Sequence, residues 1–259
     1  MILEEILARR RQDVQESKKD RPLFRADVPH GAHRLRASLT RPGAGLICEI
    51  KKASPSRGPI DLDVHVPARA KDYEQSGARA ISVLTEPYFF RGSFDDLSQA
   101  ARAVEIPVLC KDFVVDEYQI LKAALSGAAG ILLIVAALRP DELRSLGRMA
   151  DGLGLDCLVE VHTEEELEIA LESEASIIGV NNRNLATLKV DLGVSERLIP
   201  KIPSTKLSVV ESGISRPEDV VRLCALGARA FLIGESLMTA GNPVEKVREL
   251  AAALGPPSS

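Results

Sequence analysis

Eight short apolar runs recur along the chain, and stretches with helical spacing of apolar residues separate most of them. We interpret the runs as strands near residues 46–51, 80–85, 107–111, 130–135, 157–161, 177–181, 207–211 and 230–234. Helices are predicted at residues 67–76, 95–104, 117–125, 140–150, 164–171 and 217–226. A strand followed by a helix, repeated about eight times, predicts a parallel sheet with right-handed crossovers.

The length of the chain favours a closed barrel. Its 259 residues match the roughly 250 residues of a (β/α)8 barrel. The run at 130–135 is apolar throughout, as expected when both faces of a strand are buried. An open, doubly wound sheet is the alternative, but no G-x-G-x-x-G follows the first strand. We therefore predict one α/β domain over residues 1–259, a (β/α)8 TIM barrel with residues 1–40 as an N-terminal helical extension.

The two ends of the chain differ in character. Apolar residues at helical spacing predict one or two N-terminal helices packed over the barrel: Leu3, Ile6 and Leu7. The arginines at 9–11 are interpreted as solvated. The Gly- and Pro-containing tail, residues 255–259, is predicted to be disordered.

Charge and composition exclude several classes of protein. The net charge of -4 gives no electrostatic reason to expect nucleic acid or an anionic membrane as a partner. No apolar run approaches the roughly 20 residues of a membrane span, and the N-terminus lacks the order of a secretion signal. The four cysteines form no C-x-x-C pair and are interpreted as core residues, and the four histidines are not spaced as metal ligands. We expect a cytoplasmic protein without a metal site.

Polar residues close five of the predicted strands. Chemistry in such barrels takes place at the carboxyl ends of the strands, and these ends carry Glu49, Lys51, Lys111, Glu160, Asn181, Glu211 and Ser212. Any one of them could belong to a structural ion pair. Stability alone, however, would favour apolar layers over five strands delivering polar groups to one rim. The pattern predicts an acid–base site of two lysines and three glutamates, without metal, histidine or thiol chemistry.

The last two strand ends resemble anion sites. Ser212-Gly213 follows the seventh strand and Gly234-Glu235 the eighth, where barrels commonly bind phosphate. Glycine lets backbone N–H groups approach an anion, although a helix cap or a tight turn explains each glycine equally well. Arg183 is a candidate third contact.

Aromatic residues are scarce and clustered. Four of the nine lie within residues 88–94, after the second strand, and Phe113 follows the third. Phe90 and Phe113 are predicted to form a flat apolar pocket for a ring. For Phe89 and Phe94, the pocket and ordinary core packing are equally good interpretations.

Taken together, these motifs resemble the indole-3-glycerol-phosphate synthase family. The resemblance runs from the N-terminal helix to about residue 250, and its segments are 49–56, 84–86, 89–93, 109–113, 158–161, 179–185, 211–214 and 234–238. It implies conversion of 1-(2-carboxyphenylamino)-1-deoxyribulose 5-phosphate into indole-3-glycerol phosphate, a step of tryptophan biosynthesis. Ring closure would be followed by loss of carbon dioxide and water, with no cofactor.

The resemblance also implies residue roles. Lys111 would be the general acid and Glu160 its acid–base partner. Lys51 would meet the substrate carboxylate and is a second candidate acid, with Glu49 orienting it. The residues that would position substrate hydroxyls are Asn181, Glu211 and Ser212. The phosphate site would comprise Ser54, Arg183, Gly213, Gly234 and Glu235, the glycines and Glu235 through backbone groups. The ring pocket would comprise Phe90, Phe113, Leu132 and Leu185.

Two other functions remain open from the sequence. One is a Schiff-base aldolase barrel with Lys111 or Lys51 as nucleophile, because burial can depress the pKa of a lysine. The other is a non-catalytic binder of sugar phosphates. In the preferred interpretation the partner is the anthranilate-bearing sugar phosphate alone, without nucleic acid or membrane, and the chain is a monomer or a weak homo-oligomer.

Overall fold

The structure, a computed structural model, describes residues 2–254, so the tail predicted to be disordered lies outside the described residues. Eight parallel strands form a closed barrel in which neighbours in sequence are neighbours in space and the last strand pairs with the first. The strands are β1 (Gly45–Ile50), β2 (Ala80–Leu84), β3 (Val108–Lys111), β4 (Gly130–Ile134), β5 (Asp156–Val161), β6 (Ile177–Asn181), β7 (Leu207–Glu211) and β8 (Ala230–Ile233). A two-residue hairpin, Ala53–Ser54 with Gly58–Pro59, follows β1.

Helices alternate with the strands. They are α1 (Ile2–Asp20), α2 (Arg34–Leu39), α3 (Val66–Gln75), α4 (Phe94–Ala103), α5 (Glu117–Leu125), α6 (Pro140–Asp151), α7 (Glu164–Glu172), α8 (Gly193–Leu198), α9 (Pro217–Ala225), α10 (Glu235–Met238) and α11 (Pro243–Ala252). The described residues also contain three short 3₁₀ turns: Arg25–Asp27, Val135–Ala137 and Ile199–Lys201. Among residues 2–254, no helix has the length and apolar character that crossing a membrane requires.

The barrel predicted from the sequence is confirmed. Every predicted strand and every predicted helix of the barrel begins and ends within one residue of the observed position. Pro140 and Pro217 occupy the first turns of α6 and α9, where a missing N–H costs nothing. Three helices lie outside the predictions: α8, α10 and α11.

The buried side chains form two layers. An outer layer fills the space between the strands and the surrounding helices. An inner layer fills the barrel itself and includes Ile47, Leu109, Leu158 and Leu232. Because the interior is packed with side chains, only the mouth of the barrel is free to hold a ligand.

The N-terminal helices close the two ends of the barrel. At the amino end, Leu35 and Leu39 of α2 join the inner layer. At the carboxyl end, Arg10 of α1 forms a two-point pair with Asp112, with 3.0 Å between Nε and Oδ1 and 2.7 Å between Nη2 and Oδ2. Both side chains of this pair are buried. The prediction that the arginines at 9–11 are solvated is therefore wrong for Arg10, whose long-range partner has no signature in the local sequence.

Candidate active site

A cavity of about 480 Å³ opens at the carboxyl ends of the strands. Of the sixteen residues singled out in the sequence, fifteen line it: Glu49, Lys51, Phe90, Lys111, Phe113, Leu132, Glu160, Asn181, Arg183, Leu185, Glu211, Ser212, Gly213, Gly234 and Glu235. Six strands contribute residues themselves or through the segments that follow them: β1, β3, β4, β5, β6 and β7. The strands β2 and β8 contribute only through the segments that follow them. The parallel arrangement of the barrel brings these ends together at one mouth.

Ser54 is the exception. It lines a smaller neighbouring cavity of about 80 Å³, which shares Lys51 and Arg183 with the larger one. Its hydroxyl accepts a hydrogen bond from the N–H of Arg57 at 3.3 Å and thereby shapes the hairpin turn. The N-terminal helix α1 supplies apolar walls to this cavity: Ile2, Leu3 and Ile6.

Lys111, the last residue of β3, lies between two carboxylates. Its ammonium donates to Glu211 Oε2 at 2.6 Å and to Glu160 Oε2 at 3.2 Å. Burial opposes the charge of Lys111, but the carboxylates of Glu211 and Glu160 outweigh burial and raise its pKa above the ordinary value. Lys111 is therefore a charged acid rather than a free amine.

The pKa values of the two carboxyl groups shift in opposite directions. Burial favours the neutral form of Glu160, but Lys111 and a nearby histidine outweigh burial and lower its pKa below the ordinary value. Burial raises the pKa of Glu211, and the negative charge of Glu160 adds to this rise against the effect of Lys111. The shifts are opposite because Lys111 and the histidine stabilise the charge of Glu160, whereas burial and the charge of Glu160 disfavour the ionisation of Glu211.

Two glycines make room for buried carboxylates. A β-carbon at Gly179 would lie 2.1 Å from Glu211 Oε1, and one at Gly234 would lie 2.3 Å from Glu49 Oε1. A side chain at either glycine would therefore displace the carboxylate that faces it. Glu49 in turn forms an ion pair with Lys51, at 3.0 Å between Oε1 and Nζ. Gly234, predicted as a phosphate contact, therefore also has a packing reason to be glycine.

Two arginines of the cavity lining converge on one carboxylate. The Glu235 carboxylate accepts from Arg57 Nε at 2.8 Å through one oxygen and from Arg183 Nη2 at 2.9 Å through the other. Burial raises the pKa of Glu235, but the two arginines outweigh burial and lower it. Nearby, Ser212 and Gly213 both have left-handed backbone angles, with φ of 65° and 85°, and turn the chain sharply after β7.

The aromatic residues divide between pocket and core. Phe90 and Phe113 line the cavity with their ring centroids 5.9 Å apart. Phe94 instead packs against the outer core layer, with Lys122 Nζ 4.5 Å from its ring centroid. Phe89 packs against the inner layer and lines neither cavity described above. Of the two interpretations left open for Phe89 and Phe94, the structure favours core packing.

Besides Arg57, three charged residues near the site lie outside the sequence predictions. Glu86 is buried and accepts the backbone N–H groups of Tyr88, Phe89 and Phe90, which fixes the aromatic loop. The second is Asp112, which forms the buried ion pair with Arg10 of α1. Their long-range or loop-forming roles have no local signal in the sequence.

The third is His162, which lies behind Glu160. Its Nε2 is 3.4 Å from Glu160 Oε1, an ion-pair distance without hydrogen-bond geometry, and its Nδ1 is 3.1 Å from Glu166 Oε2. Burial opposes the charge of His162, but Glu160 and Glu166 raise its pKa to about 10. His162 stands two residues after Glu160 and just past the end of β5, a proximity that is visible in the sequence.

Comparison with known proteins identifies the family. A sequence model described as Indole-3-glycerol phosphate synthase matches residues 3–250. The chain belongs to the indole-3-glycerol phosphate synthase family. A family member from Endomicrobium trichonymphae is 44% identical over 96% of this chain and 99% of its own length. A family member from Ruminiclostridium cellulolyticum is 52% identical over 79% of this chain and 78% of its own.

Solved structures outside the indole-3-glycerol phosphate synthase family share the barrel. A thiamine phosphate pyrophosphorylase from Pyrococcus furiosus superposes with a TM-score of 0.63 at 16% identity, over 85% of this chain and 97% of that one. A structure titled "Native KDPGal structure" gives a TM-score of 0.57 at 19% identity, over 81% and 91% of the two chains. Identities this low show a common fold and nothing about activity.

Proposed function

We propose that the chain converts 1-(2-carboxyphenylamino)-1-deoxyribulose 5-phosphate into indole-3-glycerol phosphate, carbon dioxide and water. The observation that carries the proposal is the position of Lys111, held as a cation between Glu160 and Glu211. An apolar ring pocket and an arginine-bearing wall lie in the same cavity. A substrate with an aryl group at one end and a phosphate at the other matches a cavity with an apolar pocket and an arginine-bearing wall.

The two ends of the substrate orient it. The phosphate binds at Arg183 and at the backbone of Gly213, Gly234 and Glu235, with Ser54 as a further contact. The aryl ring occupies the pocket formed by Phe90, Phe113, Leu132 and Leu185. Fixing both ends brings the aryl carbon that carries the carboxylate against the sugar carbonyl, which supplies the orientation term of catalysis.

Lys111 and Glu160 then carry the proton transfers. As the aryl carbon attacks the carbonyl carbon, Lys111 donates a proton to the oxygen that becomes a hydroxyl. Loss of carbon dioxide restores the aromatic ring. The hydroxyl then takes a proton from an acid and leaves as water, while ionised Glu160 accepts a proton from the ring carbon next to nitrogen, which forms the second double bond of the indole and leaves its N–H in place. Groups placed in this way contribute roughly 10²–10⁴-fold each to the rate.

The remaining polar groups hold the substrate. Lys51, paired with Glu49 at 3.0 Å, meets the substrate carboxylate until it leaves and is the second candidate acid. The sugar hydroxyls bond to the residues at the ends of β6 and β7: Asn181, Glu211 and Ser212.

The alternatives fit less well. A Schiff-base aldolase needs a neutral lysine amine, whereas the raised pKa of Lys111 keeps it charged. The relatives are synthases by name and favour neither the aldolase nor a binder without turnover.

We further propose that residues 1–259 act as one domain, without a cofactor, as a monomer or weak homo-oligomer in the cytoplasm. The buried pair between Arg10 and Asp112 supports inclusion of the N-terminal helices in that domain. The free and buried thiols of Cys48 and Cys110 suit a reducing compartment.

The appearance of indole fluorescence from the carboxyphenylamino substrate tests the activity. We expect turnover by the wild-type chain, loss of at least about 10³-fold in kcat for Lys111→Ala, and an unchanged rate for Lys71→Ala, which alters an exposed lysine of α3. No indole product from the folded wild-type chain would refute the function. Borohydride trapping of a covalent adduct would point to the aldolase instead.

A further inference from the structure

We propose that His162 is a positioning residue of the active site, which holds Glu160 in place and balances its charge, with Glu166 as the anchor of the imidazole. The proposal rests on the proposed function, because Glu160 is there the ionised acid–base partner of Lys111. His162 itself does not line the cavity, so it acts on the reaction only through Glu160.

Hydrogen-bond geometry defines the form of the imidazole. Glu166 Oε2 accepts the backbone N–H of His162 at 2.6 Å and lies 3.1 Å from Nδ1 of the same residue. A carboxylate in that position requires a proton on Nδ1. Nε2 then faces the Glu160 carboxylate, and a neutral imidazole would present a lone pair to it. Only the doubly protonated ring makes both contacts favourable.

The two oxygens of Glu160 give the same result. Lys111 contacts one oxygen of Glu160, Oε2, and the His162 ring faces the other, Oε1. Lys111 also contacts Glu211 and is therefore shared between two carboxylates, so His162 supplies Glu160 with a second cation. No comparable cation reaches Glu211 Oε1, which has no hydrogen-bond partner among the described residues.

The surroundings of His162 add no competing charge. Among residues 2–254, the charged groups within ion-pair distance of its ring are Glu160 on β5 and Glu166 on α7. The turn Val135–Ala137, which packs against α7, carries only apolar side chains. With both partners negative, the ring stays charged through the neutral pH range, in agreement with its raised pKa.

A matched pair of histidines allows a direct test. His33 also contacts a carboxylate of β5, with Nδ1 3.2 Å from Asp156 Oδ1, but Asp156 is the first residue of that strand. His33 has a left-handed φ of 48°, which asparagine tolerates. His162→Asn and His33→Asn therefore remove the same group from opposite ends of one strand.

The pH profile of kcat/KM distinguishes a positioning role of His162 from a merely structural one. In His162→Asn we expect the acid limb to move to higher pH by about one unit or more, since each unit is a tenfold change in the protonation of Glu160. We expect kcat to fall about tenfold, with KM within about twofold, because the cavity wall is unchanged. His33→Asn should keep the wild-type profile.

Glu166→Gln provides a second variant that leaves β5 and His162 intact. It should shift the acid limb in the same direction by a smaller amount. A folded His162→Asn or Glu166→Gln with the wild-type pH profile would overturn the inference, even if its melting temperature were lower. An inactive wild-type chain would instead refute the proposed function, so the two failures are distinguishable.

Discussion

Gly179 lies directly against the carboxylate of Glu211, so close that a β-carbon at residue 179 would stand 2.1 Å from Oε1. Glu211 in turn contacts Lys111 at 2.6 Å. The identity of residue 179 on β6 therefore controls the position of a carboxylate on β7 and, through it, of the ammonium on β3.

Gly179→Ala should displace Glu211 and disturb the contact with Lys111. We expect kcat for indole-3-glycerol phosphate formation to fall about 10–100-fold, because misplacing an acid–base group by about 1 Å is costly. Gly147→Ala is the matched control, since a β-carbon there would meet only Leu133 Cδ1 at 4.0 Å in the middle of α6. An unchanged kcat in Gly179→Ala would show that Glu211 tolerates displacement.

Arg10→Met removes one partner of a buried ion pair. Asp112 would keep a buried charge without its cation, which typically costs about 3–5 kcal/mol. Chemical denaturation should report a loss of that size, whereas Arg11→Met, at an exposed position of α1, should change the free energy of unfolding by less than about 0.5 kcal/mol. Adding Asp112→Asn to Arg10→Met should recover part of the loss, and no recovery would contradict this account.

The stability of the fold should depend on His162 in a pH-dependent way. Burial opposes its charge, but Glu160 and Glu166 raise its pKa from 6.5 to about 10. A group whose pKa is raised by folding contributes fully below its unfolded value, so this contribution is present below about pH 6.5 and is lost as the pH rises through about 10. The difference in the free energy of unfolding between wild type and His162→Asn should shrink over that interval. A difference that stays constant would mean that the ring is neutral in the folded chain.

Glu235→Gln should strengthen the binding of inorganic phosphate. The Glu235 carboxylate occupies Arg183 and Arg57 at 2.9 and 2.8 Å, and an anion must compete with it for the same guanidinium groups. Replacing the charge by an amide removes the competitor, and we expect the inhibition constant of phosphate to fall about 3–10-fold. Arg183→Met should raise it. Weaker inhibition in Glu235→Gln would mean that the carboxylate chiefly holds the arginines in place.

Much of the barrel could be predicted because its signal is local. Runs such as 130–135 are apolar throughout, and proline at the first turn with acidic residues behind it defines α6 and α9. Helix α8 is only six residues long and begins at glycine, so local propensity does not indicate it. Helix α11 has an asparagine cap followed by proline, a start signal that the sequence does contain.

The candidate site was predictable because its residues, like the strands, have a local signal in the sequence. Residues that end parallel strands meet at one mouth, so Lys111, Glu160 and Glu211 follow from position in the chain. The pairing of Arg10 with Asp112 and the contact of Gly179 with Glu211 depend on distances between elements, which spacing along one strand does not encode.

The contact between Glu49 and Gly234 joins the first strand of the barrel to the residue after the last. A ribosome delivers these two residues at opposite ends of the synthesis of the barrel, and N-terminal segments begin to fold first. The carboxylate of β1 therefore waits for the final strand before it reaches its working position. The surroundings of that carboxylate are consequently complete only after β8 has paired with β1.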